Sequence, residues 1–536
     1  MIRAFLKNYF LKMKVRPYPF VKILWSVFLF GVIFNACKGR IKTNRSHAGV
    51  SASGIEKGKI LAERYCQSCH LLPSPDLVNS YSWENGVLPN MGPRLGIFNF
   101  KLKPYPASQY EPSLDSNFYP HTPLLSDEEW QDIIDYYTST SPDTLPGQQK
   151  EIQISEDTSI FKIKVPLFSY PYSATAFINI DTSNSEPRLM FSDVSRKTTF
   201  ILNNKFGAID SIMNRGPIVS FDREGARLLG CNIGIMNPNN GRFGSATFLD
   251  AAVNGKYVEE STPLFDSLQR PVQITASDLN NDGKTDYLVC EFGFLTGALS
   301  WMENASNHKF IKHILRPLPG AIKAYIDDYN HDGLPDIMAL FAQGDESIIL
   351  FTNKGNGNFS QQQLLRFPPS YGSSYFELDD FNHDGYPDIV YTCGDNADYS
   401  PVLKPYHGVY IFMNDKSNHF VQKYFYPIHG CYKAMARDFD GDGDLDIATI
   451  SFFADYTHQP QEGFVYLKNL GGFNFLPLNV PGTEAGRWLT MDAGDIDGDG
   501  KIDIALGNFS IGPITNRPKA EWQKAPPFII LKNISK

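Results

Sequence analysis

A pentapeptide near the N-terminus, Cys66-Gln-Ser-Cys69-His70, combines residue types that bind metals and form covalent bonds with electrophiles. Two cysteines separated by two residues and followed at once by histidine have the spacing that attaches haem c through two thioether bonds. A CxxC pair can instead bind zinc or exchange disulfides, but a structural zinc site needs further ligands. No other cysteine occurs between residues 38 and 230. The spacing predicts one covalent haem c, held by both cysteines and ligated by His70.

The sixth ligand of such an iron must come from elsewhere in the chain. A methionine thioether commonly partners histidine in electron-transfer cytochromes. Met91, in the segment WENGVLPNMGPRLG, is the only methionine between residues 14 and 189. We predict Met91 as the sixth ligand, with His121 or an open position as alternatives. A methionine that only packs against the haem edge is the purely structural explanation.

A second motif, an aspartate-rich nonapeptide with glycine at its sixth position, occurs five times in the second half of the chain. The copies are DLNNDGKTD (278–286), DYNHDGLPD (328–336), DFNHDGYPD (380–388), DFDGDGDLD (438–446) and DIDGDGKID (495–503). Ca²⁺ takes about six to eight oxygen ligands, which side chains at positions 1, 3, 5 and 9 and the carbonyl of position 7 can provide. The motif therefore predicts up to five Ca²⁺ sites.

Each loop contributes the same five positions to its predicted site. The ligands are Asp278, Asn280, Asp282, Lys284 and Asp286; Asp328, Asn330, Asp332, Leu334 and Asp336; Asp380, Asn382, Asp384, Tyr386 and Asp388; Asp438, Asp440, Asp442, Asp444 and Asp446; and Asp495, Asp497, Asp499, Lys501 and Asp503. Free variation at position 7 fits a residue that lends only its carbonyl. Aspartate and glycine could instead simply form tight turns. Five copies in register favour metal binding, and the absence of an added base or nucleophile favours a structural role.

The spacing of the loops predicts the elements that hold them. Successive copies are about 50 to 58 residues apart, the period of a propeller blade. Short apolar segments flank each loop, a third ends in asparagine, and a more polar fourth follows, so each repeat supplies four strands. Two degenerate copies, at 174–204 and 218–251, precede the five. We predict an all-β propeller over residues 159–536 with seven four-stranded blades; six or eight are the alternatives.

The last repeat ends at its third strand, Phe528–Asn533. The segment 160–168 has the pattern of an outer strand and precedes the first blade. Pairing of Phe161–Phe168 with Phe528–Asn533 would close the ring and remove a free sheet edge.

The aspartate loop joins strands rather than helices, and it lacks the glutamate at position 12 of an EF-hand. It resembles the calcium loops of the FG-GAP and VCBS repeat families, including the propeller of integrin α chains. The resemblance extends from about residue 158 to the C-terminus. It implies a propeller stabilised by calcium, with a binding role.

The first 36 residues have the features of an export signal. Six basic residues and no acid precede the apolar run ILWSVFLFGVIF at 23–34, which is too short to span a bilayer. A small residue and then Cys37 follow, so the segment resembles a bacterial lipoprotein signal with Cys37 as the lipidated residue. An ordinary signal peptide is the alternative. We predict a signal peptide at 1–36, a lipidated tether at 37–53, and attachment on the periplasmic or outer-surface side of a bacterial envelope membrane.

Residues 54–145 are predicted to form a small all-α domain, making the chain multidomain. The segment LSDEEWQDIIDYYTST at 125–140 has a serine N-cap, acids in its first turn and apolar residues at helical spacing. The order of motif, methionine and final helix is similar to that of small cytochromes c. That resemblance implies electron transfer with a redox partner protein. Residues 146–158 are predicted to be a linker.

Charge and motif content limit the function classes. The chain carries 49 basic and 58 acidic side chains, a formal net charge of −9, which excludes a nucleic-acid binder because phosphate contacts need clustered cations. No nucleophile elbow, P-loop or dinucleotide fingerprint occurs in a supporting context. Four further cysteines, Cys231, Cys290, Cys393 and Cys431, allow three disulfide pairings, with Cys290 and Cys393 expected to be core thiols.

The face opposite the aspartate loops carries the long insertions 392–408, 451–463 and 507–527, where binding usually occurs. Near the channel mouth on this face the repeats place Lys323, Tyr375, Lys433, Arg487 and Trp488. Such a ring could bind a carbohydrate or a small acidic ligand, or its side chains could be solvated or paired with acidic neighbours.

Three functions fit these observations. The first is a haem c electron-transfer lipoprotein whose propeller is a docking or ligand-binding platform. The second is a cytochrome-coupled dehydrogenase of a sugar or alcohol, with His407 or His458 as the base. The third is a glycan-binding or adhesion module of the cell envelope, with membrane contact through the lipid anchor alone.

Overall fold

The computed structural model describes residues 47, 49–252, 256–306, 309–397, 399–512 and 519–536. The predicted signal peptide, Cys37 and most of the tether lie outside the described residues. Within the described ranges, no helix combines the length and the apolar character needed to cross a membrane.

The N-terminal region from residue 49 to 145 contains helices, one short hairpin and a stretch without helix or strand at 105–126. Its helices are α1 (Ala52–Tyr65), α2 (Ser80–Ser82), α3 (Leu88–Met91) and α4 (Asp127–Thr140), with 3₁₀ turns at Cys66–Ser68, Pro75–Leu77 and Gly92–Leu95, a π-turn at Trp83–Val87, and strands β1 (Asn99–Phe100) and β2 (Lys103–Pro104). The predicted final helix is present as α4. Ser126 caps it through a reciprocal capping box with Glu129.

Helices α1 and α4 cross at unusually close range. A Cβ added to Gly58 would lie 1.9 Å from the carbonyl oxygen of Asp132, so only glycine allows this approach. The core below the crossing contains Trp83, Trp130 and Tyr137, and the Trp83 and Tyr137 rings stack with centroids 4.2 Å apart. These contacts give the helical domain a core of its own.

The remainder of the chain forms seven four-stranded antiparallel sheets arranged as consecutive blades, which confirms the predicted propeller and blade number. The strands are β5 Thr175–Asp181, β6 Arg188–Asp193, β7 Thr198–Asn203 and β8 Ala208–Met213 in blade 1; β9 Ile218–Glu224, β10 Arg227–Asn232, β11 Gly244–Ala251, β12 Tyr257–Glu259 and β13 Phe265–Leu268 in blade 2; β14 Pro271–Ser277, β15 Asp286–Glu291, β16 Ala298–Asn304 and β17 Phe310–Arg316 in blade 3; β18 Ala321–Asp327, β19 Asp336–Phe341, β20 Ser347–Asn353 and β21 Phe359–Arg366 in blade 4; β22 Ser373–Asp379, β23 Asp388–Cys393, β24 Gly408–Asn414 and β25 Phe420–Pro427 in blade 5; β26 Cys431–Arg437, β27 Asp446–Ser451, β28 Phe464–Asn469 and β29 Phe475–Asn479 in blade 6; and β30 Trp488–Gly494, β31 Asp503–Asn508 and β32 Phe528–Asn533 in blade 7. In blade 2 both β12 and β13 pair with β11, so two short strands share the outer edge.

Blade 7 is completed from the other end of the domain. Strand β4 (Phe161–Lys164) pairs antiparallel with β32, placing Phe161 opposite Asn533 and Lys164 opposite Ile530. The predicted closure is confirmed, but its extent is smaller than predicted, since pairing stops at Lys164 rather than Phe168. Pro166 has no N–H to donate to a ladder, which accounts for the early end.

The segment between the two domains packs against the propeller. Strand β3 (Ser155–Glu156) pairs parallel with β29 and extends blade 6 to five strands. Lys150 forms a buried ion pair with Glu462 at 2.6 Å, and the second oxygen of Glu462 lies 2.9 Å from Nδ1 of His429. Part of the predicted linker is therefore a strand fixed by buried charges.

Short helical elements complete the propeller: 3₁₀ turns at Pro460–Gly463 and Thr483–Ala485 and helix α5 (Ala520–Lys524). The cores lie between neighbouring blades. The cluster joining blades 6 and 7, for example, combines Phe161, Tyr466 and Trp488. Burial between blades is what holds a ring of sheets together.

Candidate functional site

The Cys66–His70 motif lies where α1 ends. Cys66 opens the 3₁₀ turn and is half-buried, Cys69 is exposed, and both thiols are free. Burial raises the pKa of the Cys66 thiol to about 12, and the neighbouring Cys69 adds to this shift. The Cys66 side chain is thus a neutral thiol.

His70 has the environment expected of an iron ligand. Its Nδ1 lies 2.9 Å from the carbonyl oxygen of Leu71. Because a carbonyl only accepts, Nδ1 carries the proton, and Nε2 is left with the lone pair that binds a metal. Burial lowers the pKa of His70 and favours this neutral form. Two free thiols and one oriented neutral imidazole fit the donor set of haem c.

The two candidate sixth ligands differ in setting. Met91 is the last residue of α3 and is half-buried, after a run of short turns that includes the π-turn Trp83–Val87. Such π-turns occur often at functional sites. His121 is exposed, and its Nε2 lies 3.0 Å from Oδ1 of Asn117. Met91 is thus the more buried of the two side chains.

The helical domain docks on the propeller face that carries the long insertions. Tyr406, from the insertion 392–408, donates its hydroxyl hydrogen to the carbonyl of Leu77 at 3.0 Å. A Cβ on Gly86 would lie 1.9 Å from the carbonyl oxygen of Tyr399. The Gln148 amide donates to the carbonyls of Lys404 and His407. An insertion predicted to bind a ligand instead holds the neighbouring domain.

The same docking brings the motif close to charges of blade 4. Asp345 acts to raise the pKa of His70 and Arg366 acts to lower it, although burial is the larger cause. Asp345 also pairs with Arg316 and Arg366, each at 2.7 Å. Asp345 and Arg366 of blade 4 therefore lie within electrostatic range of His70, and Arg316 at the end of blade 3 joins them through Asp345.

All five aspartate loops adopt one internal geometry. The position-1 aspartate accepts backbone N–H bonds from positions 5 and 6; in the first loop Asp278 accepts from Asp282 at 3.0 Å and from Gly283 at 2.8 Å. The position-6 glycines all have φ between 81° and 96°, which disfavours any residue with a Cβ: Gly283, Gly333, Gly385, Gly443 and Gly500. The loops are therefore built to a common backbone shape.

The position-9 aspartates have a structural role that the motif alone did not predict. Each is fully buried and accepts the N–H of the asparagine that ends the third strand of its blade, as Asp336 does from Asn353 at 2.7 Å. The other pairs are Asp286 with Asn304, Asp388 with Asn414, Asp446 with Asn469 and Asp503 with Asn533. Burial raises the pKa of Asp388 and Asp503 to about 6 and that of Asp446 to about 7. The recurring strand-ending asparagine was the sequence signal for this bond.

Two loops gather acids tightly enough to bind an ion as they stand. The carboxylates of Asp438, Asp440 and Asp442 lie within 4.8 Å of one another, and so do those of Asp495, Asp497 and Asp503; within the described ranges these are the two such groups. Asp440 Oδ1, Asp497 Oδ1 and Asp336 Oδ2 are buried without a hydrogen-bond donor. Oxygens of this kind fit a hard cation such as Ca²⁺.

The expected cationic ring at the channel mouth is used for internal contacts. Lys433 donates to the carbonyl of Met491 at 2.8 Å, and its ammonium lies 4.8 Å from the Tyr375 ring centroid. Trp488 is fully buried between blades, and its Nε1 donates to the carbonyl of Thr483 at 2.7 Å. Arg487 is also fully buried and stacks 3.7 Å above the Phe452 ring. The prediction of an open ring was wrong for Trp488 and Arg487, which are buried. Trp488 pairs with Asn508 as Cys431 pairs with Ser451 in blade 6, so Thr490 rather than Trp488 takes the position of Lys433.

Neighbouring inner strands are joined by side chains that reach the backbone of the next blade. Asp222 accepts from Ala276 N at 2.7 Å, Glu377 from Ala436 N at 2.8 Å, and Asp492 from Ile180 N at 2.7 Å. Gln273 exchanges two bonds of 2.9 Å with the backbone of Ala324. The polar lining of the channel is largely a belt of ties between blades.

Lys323 differs from the other channel cations. Its ammonium lies 4.7 Å from the Tyr325 ring centroid, and burial lowers the pKa of Lys323 to about 8. Tyr325 donates to the carbonyl of Phe376 at 3.2 Å. Lys323 is thus a desolvated cation next to the belt.

The two candidate bases are not equivalent. His407 is 1 % exposed and burial holds its pKa well below the usual value, so it is a neutral group beyond the reach of a substrate in solvent. His458 is exposed, with Nδ1 3.0 Å from Asp455. The insertion that carries His458 contacts α5, where the rings of Tyr456 and Trp522 lie 4.5 Å apart.

The remaining cysteines are core residues. Cys231, Cys290, Cys393 and Cys431 are buried free thiols, and burial raises the pKa of each. The expectation of core thiols at Cys290 and Cys393 is confirmed, and the structure forms none of the three possible disulfide pairings.

Comparison with known proteins supports the repeat assignment. Three segments of the chain, 278–339, 328–391 and 438–506, match the FG-GAP-like repeat family. Together they contain all five aspartate loops. The chain thus carries FG-GAP-like repeats within a seven-bladed propeller.

The solved structures that match this chain do so at low identity. The N-terminal domain of Nup159 is 10 % identical, with 72 % of this chain and 98 % of that chain covered and a TM-score of 0.39. BBS1N in complex with ARL6DN is 9 % identical, with 70 % and 97 % covered and a TM-score of 0.42. Saccharomyces cerevisiae Sqt1 is 7 % identical, with 72 % and 100 % covered and a TM-score of 0.42.

Proposed function

We propose that this protein is a haem c electron-transfer lipoprotein whose calcium-stabilised propeller is the platform that holds the haem domain and a partner. The observation that carries the proposal is the setting of His70. Its Nδ1 is oriented by Leu71, and its motif lies on the insertion-bearing face of the propeller. An exported lipoprotein anchored through Cys37 would be in the compartment where c-type haem is attached.

Haem c would be bound by thioether bonds from Cys66 and Cys69, with His70 and Met91 as the axial ligands. The group would supply a one-electron couple. The chain would supply the orientation of His70 through Leu71 and a partly apolar surrounding from the core of Trp83 and Tyr137. Burial and the axial thioether are the features of the protein that would set the potential.

The aspartate loops would hold Ca²⁺ in the turns between the first and second strands of blades 3 to 7. Each ion would join the loop to a blade whose third strand is already bonded to the position-9 aspartate. The role is structural, because the loops contain no additional base and lie on the face away from the insertions. Calcium would thereby stiffen the support of the haem domain.

A dehydrogenase is the second candidate, favoured by one observation. The exposed pair of His458 and Asp455 lies on an insertion at the same face as the haem motif, and a histidine oriented by a carboxylate is a common general base. The buried position of His407 leaves His458 as the base for that hypothesis. A glycan-binding or adhesion role would use this face as well, without the haem.

Visible spectra of the full chain, purified with Ca²⁺, distinguish these functions. We expect small redox proteins to reduce or oxidise the haem, and sugars and alcohols to leave it unchanged. Reduction of the haem by a sugar or alcohol would contradict the proposal and support the dehydrogenase. That reduction should then be lost in His458→Ala and retained in His419→Ala, the control for an exposed histidine near an acid. Glycan binding that persists in Cys66→Ala would identify the adhesion module.

A further inference from the structure

The two loops with aspartate at position 3 share a contact that the other three lack. In 438–446 the ammonium of Lys468 pairs with Asp440, and in 495–503 that of Lys532 pairs with Asp497. Each lysine is the residue immediately before the asparagine that ends the third strand of its blade. The same cation thus occurs at the same point of two separate blades.

The lysine and the fourth aspartate occur together within this chain. In 278–286, 328–336 and 380–388 position 3 is asparagine, and the residue before the strand-ending asparagine is Glu303, Thr352 and Met413 respectively. Lysines do approach two of these loops, Lys284 at Asp282 and Lys416 at Asp384, but they reach position 5 from exposed side chains. A lysine on the third strand accompanies only the additional carboxylate.

Each of the two position-3 aspartates places one carboxylate oxygen on a lysine and leaves the other without a hydrogen-bond donor. The side chain of Asp440 is 6 % exposed; its Oδ2 pairs with Lys468, whereas its Oδ1 is buried without a donor. Asp497 repeats the arrangement, with Oδ2 on Lys532 and Oδ1 without a donor. The free oxygen of each carboxylate belongs to a group of three acids within 4.8 Å of one another. The lysine therefore neutralises one side of a carboxylate whose other side is available to an ion.

Resting on the proposed calcium role of the loops, we propose that Lys468 and Lys532 are resident counter-cations that divide the Ca²⁺ sites into two classes. They hold closed, without calcium, the two loops that have aspartate at all four side-chain ligand positions (1, 3, 5 and 9), and they weaken the binding of the ion there. An ammonium roughly 5 Å from a divalent ion, at a surface site of high effective dielectric, lowers affinity on the order of tenfold. The loops of blades 3, 4 and 5 lack this cation and depend on calcium for their order.

Because of the position of Lys532, the two classes of Ca²⁺ site also affect closure of the propeller. Lys532 lies on β32, the strand that pairs with β4 and closes the propeller. A closing blade whose loop carries its own cation keeps its turn ordered when calcium falls. The calcium-dependent loops are then those of blades 3 to 5, including blade 5, whose insertion contacts the helical domain.

Calcium titration of the calcium-depleted full chain by calorimetry tests the proposal. Lys468→Met should strengthen binding at one site about tenfold, because repulsion of the ion is removed. Asp440→Asn should weaken one site by a similar factor, and the double variant should return close to wild type, since it recreates the charge of a three-aspartate loop. Lys416→Met, which removes an exposed ammonium beside a loop of the other class, is the matched control and should change affinity less than threefold.

Hydrogen exchange of the wild-type chain in EDTA provides an independent test. The position-6 amides donate to the position-1 aspartates in all five loops, so they report loop closure directly. We expect Gly443 and Gly500 to exchange slowly, and Gly333 and Gly385 to exchange at least tenfold faster.

Three results would overturn the proposal. Weaker or unchanged calcium binding in Lys468→Met would show that the lysine only closes the turn, and equal exchange at all four glycines would show a single class of loop. Either result leaves the calcium role of the loops intact. A wild-type chain that binds no Ca²⁺ would instead refute the calcium role itself, and the counter-cations with it.

Discussion

The helical domain and the propeller differ in how their predicted binding residues are arranged: the first has a single motif, the second has repeated loops. In the helical domain one pentapeptide at the end of α1 contains every predicted attachment residue, above a single core around Trp83 and Trp130. The propeller repeats one loop five times, and each copy is shaped by the same bonds to its first aspartate. A repeated motif can be tested against its own copies within one chain. A motif that occurs once has no second copy for comparison, so its prediction is tested by detecting the group that it is expected to bind.

Removing calcium should give the largest difference in stability change between the propeller and the helical domain. A ligand at about 100 times its dissociation constant stabilises the folded state by about 2.7 kcal/mol per site. With several loops occupied, EDTA should therefore destabilise the propeller by several kcal/mol and leave the helical domain unchanged. Peptide-resolved hydrogen exchange measures both regions in one sample, with Mg²⁺ as the control ion. Equal loss of protection in α1 and in the blades would contradict the comparison.

Gly58→Ala should give the reverse pattern. Its new Cβ would collide with the backbone of α4, and overpacking of this kind costs about 3 kcal/mol. Gly54→Ala is the matched control in the same helix, because the nearest atom to its Cβ is the flexible Ser51 side chain at 3.2 Å. Urea unfolding followed by exchange in α1 and α4 is the measurement. A Gly58→Ala chain as stable as Gly54→Ala would show that the crossing is looser than described.

Lys323→Met probes the channel belt and should stabilise the propeller by about 2 kcal/mol at pH 7, since a desolvated charge is replaced by an apolar chain. The pKa of Lys323 is lowered to about 8 in the folded chain, so the unfolded chain binds more protons between pH 8 and its ordinary value. Wild-type stability should accordingly rise as pH increases from 8 to about 10, and that of Lys323→Met should not.

Urea midpoints at pH 7 and 9.5 measure this effect. Lys423→Met, on the outer strand β25, serves as the control for loss of a lysine elsewhere in the propeller. A propeller destabilised by Lys323→Met would show that this ammonium makes a favourable contact, as in a ligand-binding ring.

Ser126→Ala should have the smallest effect of the series. It removes the capping box of α4 and should cost the helical domain about 1 kcal/mol. Thermal unfolding measured by the helical circular dichroism signal, with Ser113→Ala as an exposed-serine control, should detect the loss. A shift in the blades as large as that in α4 would mean that the two regions unfold as one unit.

Repetition explains how much of the propeller could be predicted. The loop period gives seven blades, and the missing outer strand of the last repeat gives the closure by β4. The end of pairing at Lys164 could not be placed, because it depends on how Pro166 meets a strand distant in sequence. The sequence shows that an asparagine recurs at the end of each third strand. It does not show the buried hydrogen bond to the position-9 aspartate, because the two residues lie on different strands of the sheet.

The sites were less predictable wherever a side chain's direction decides its role. In the sequence Trp488 and Arg487 look equivalent to Lys433, yet the register of β30 gives that position to Thr490, and Trp488 and Arg487 are buried. The insertion 392–408 has the length and composition of a binding loop, and its use as a domain contact depends on Leu77 and Gly86 of another domain. The sequence of the insertion alone does not show that residues of another domain contact it.

The most direct test of the account is whether the full chain, made in a host that matures c-type cytochromes, retains haem after denaturation. We predict one covalent haem c per chain by pyridine haemochrome spectrum and intact mass, lost in Cys66→Ala combined with Cys69→Ala and kept in Cys231→Ser, which changes a buried core thiol. A wild-type chain that folds, binds calcium and carries no covalent haem would contradict the electron-transfer function and leave the propeller as a binding protein alone.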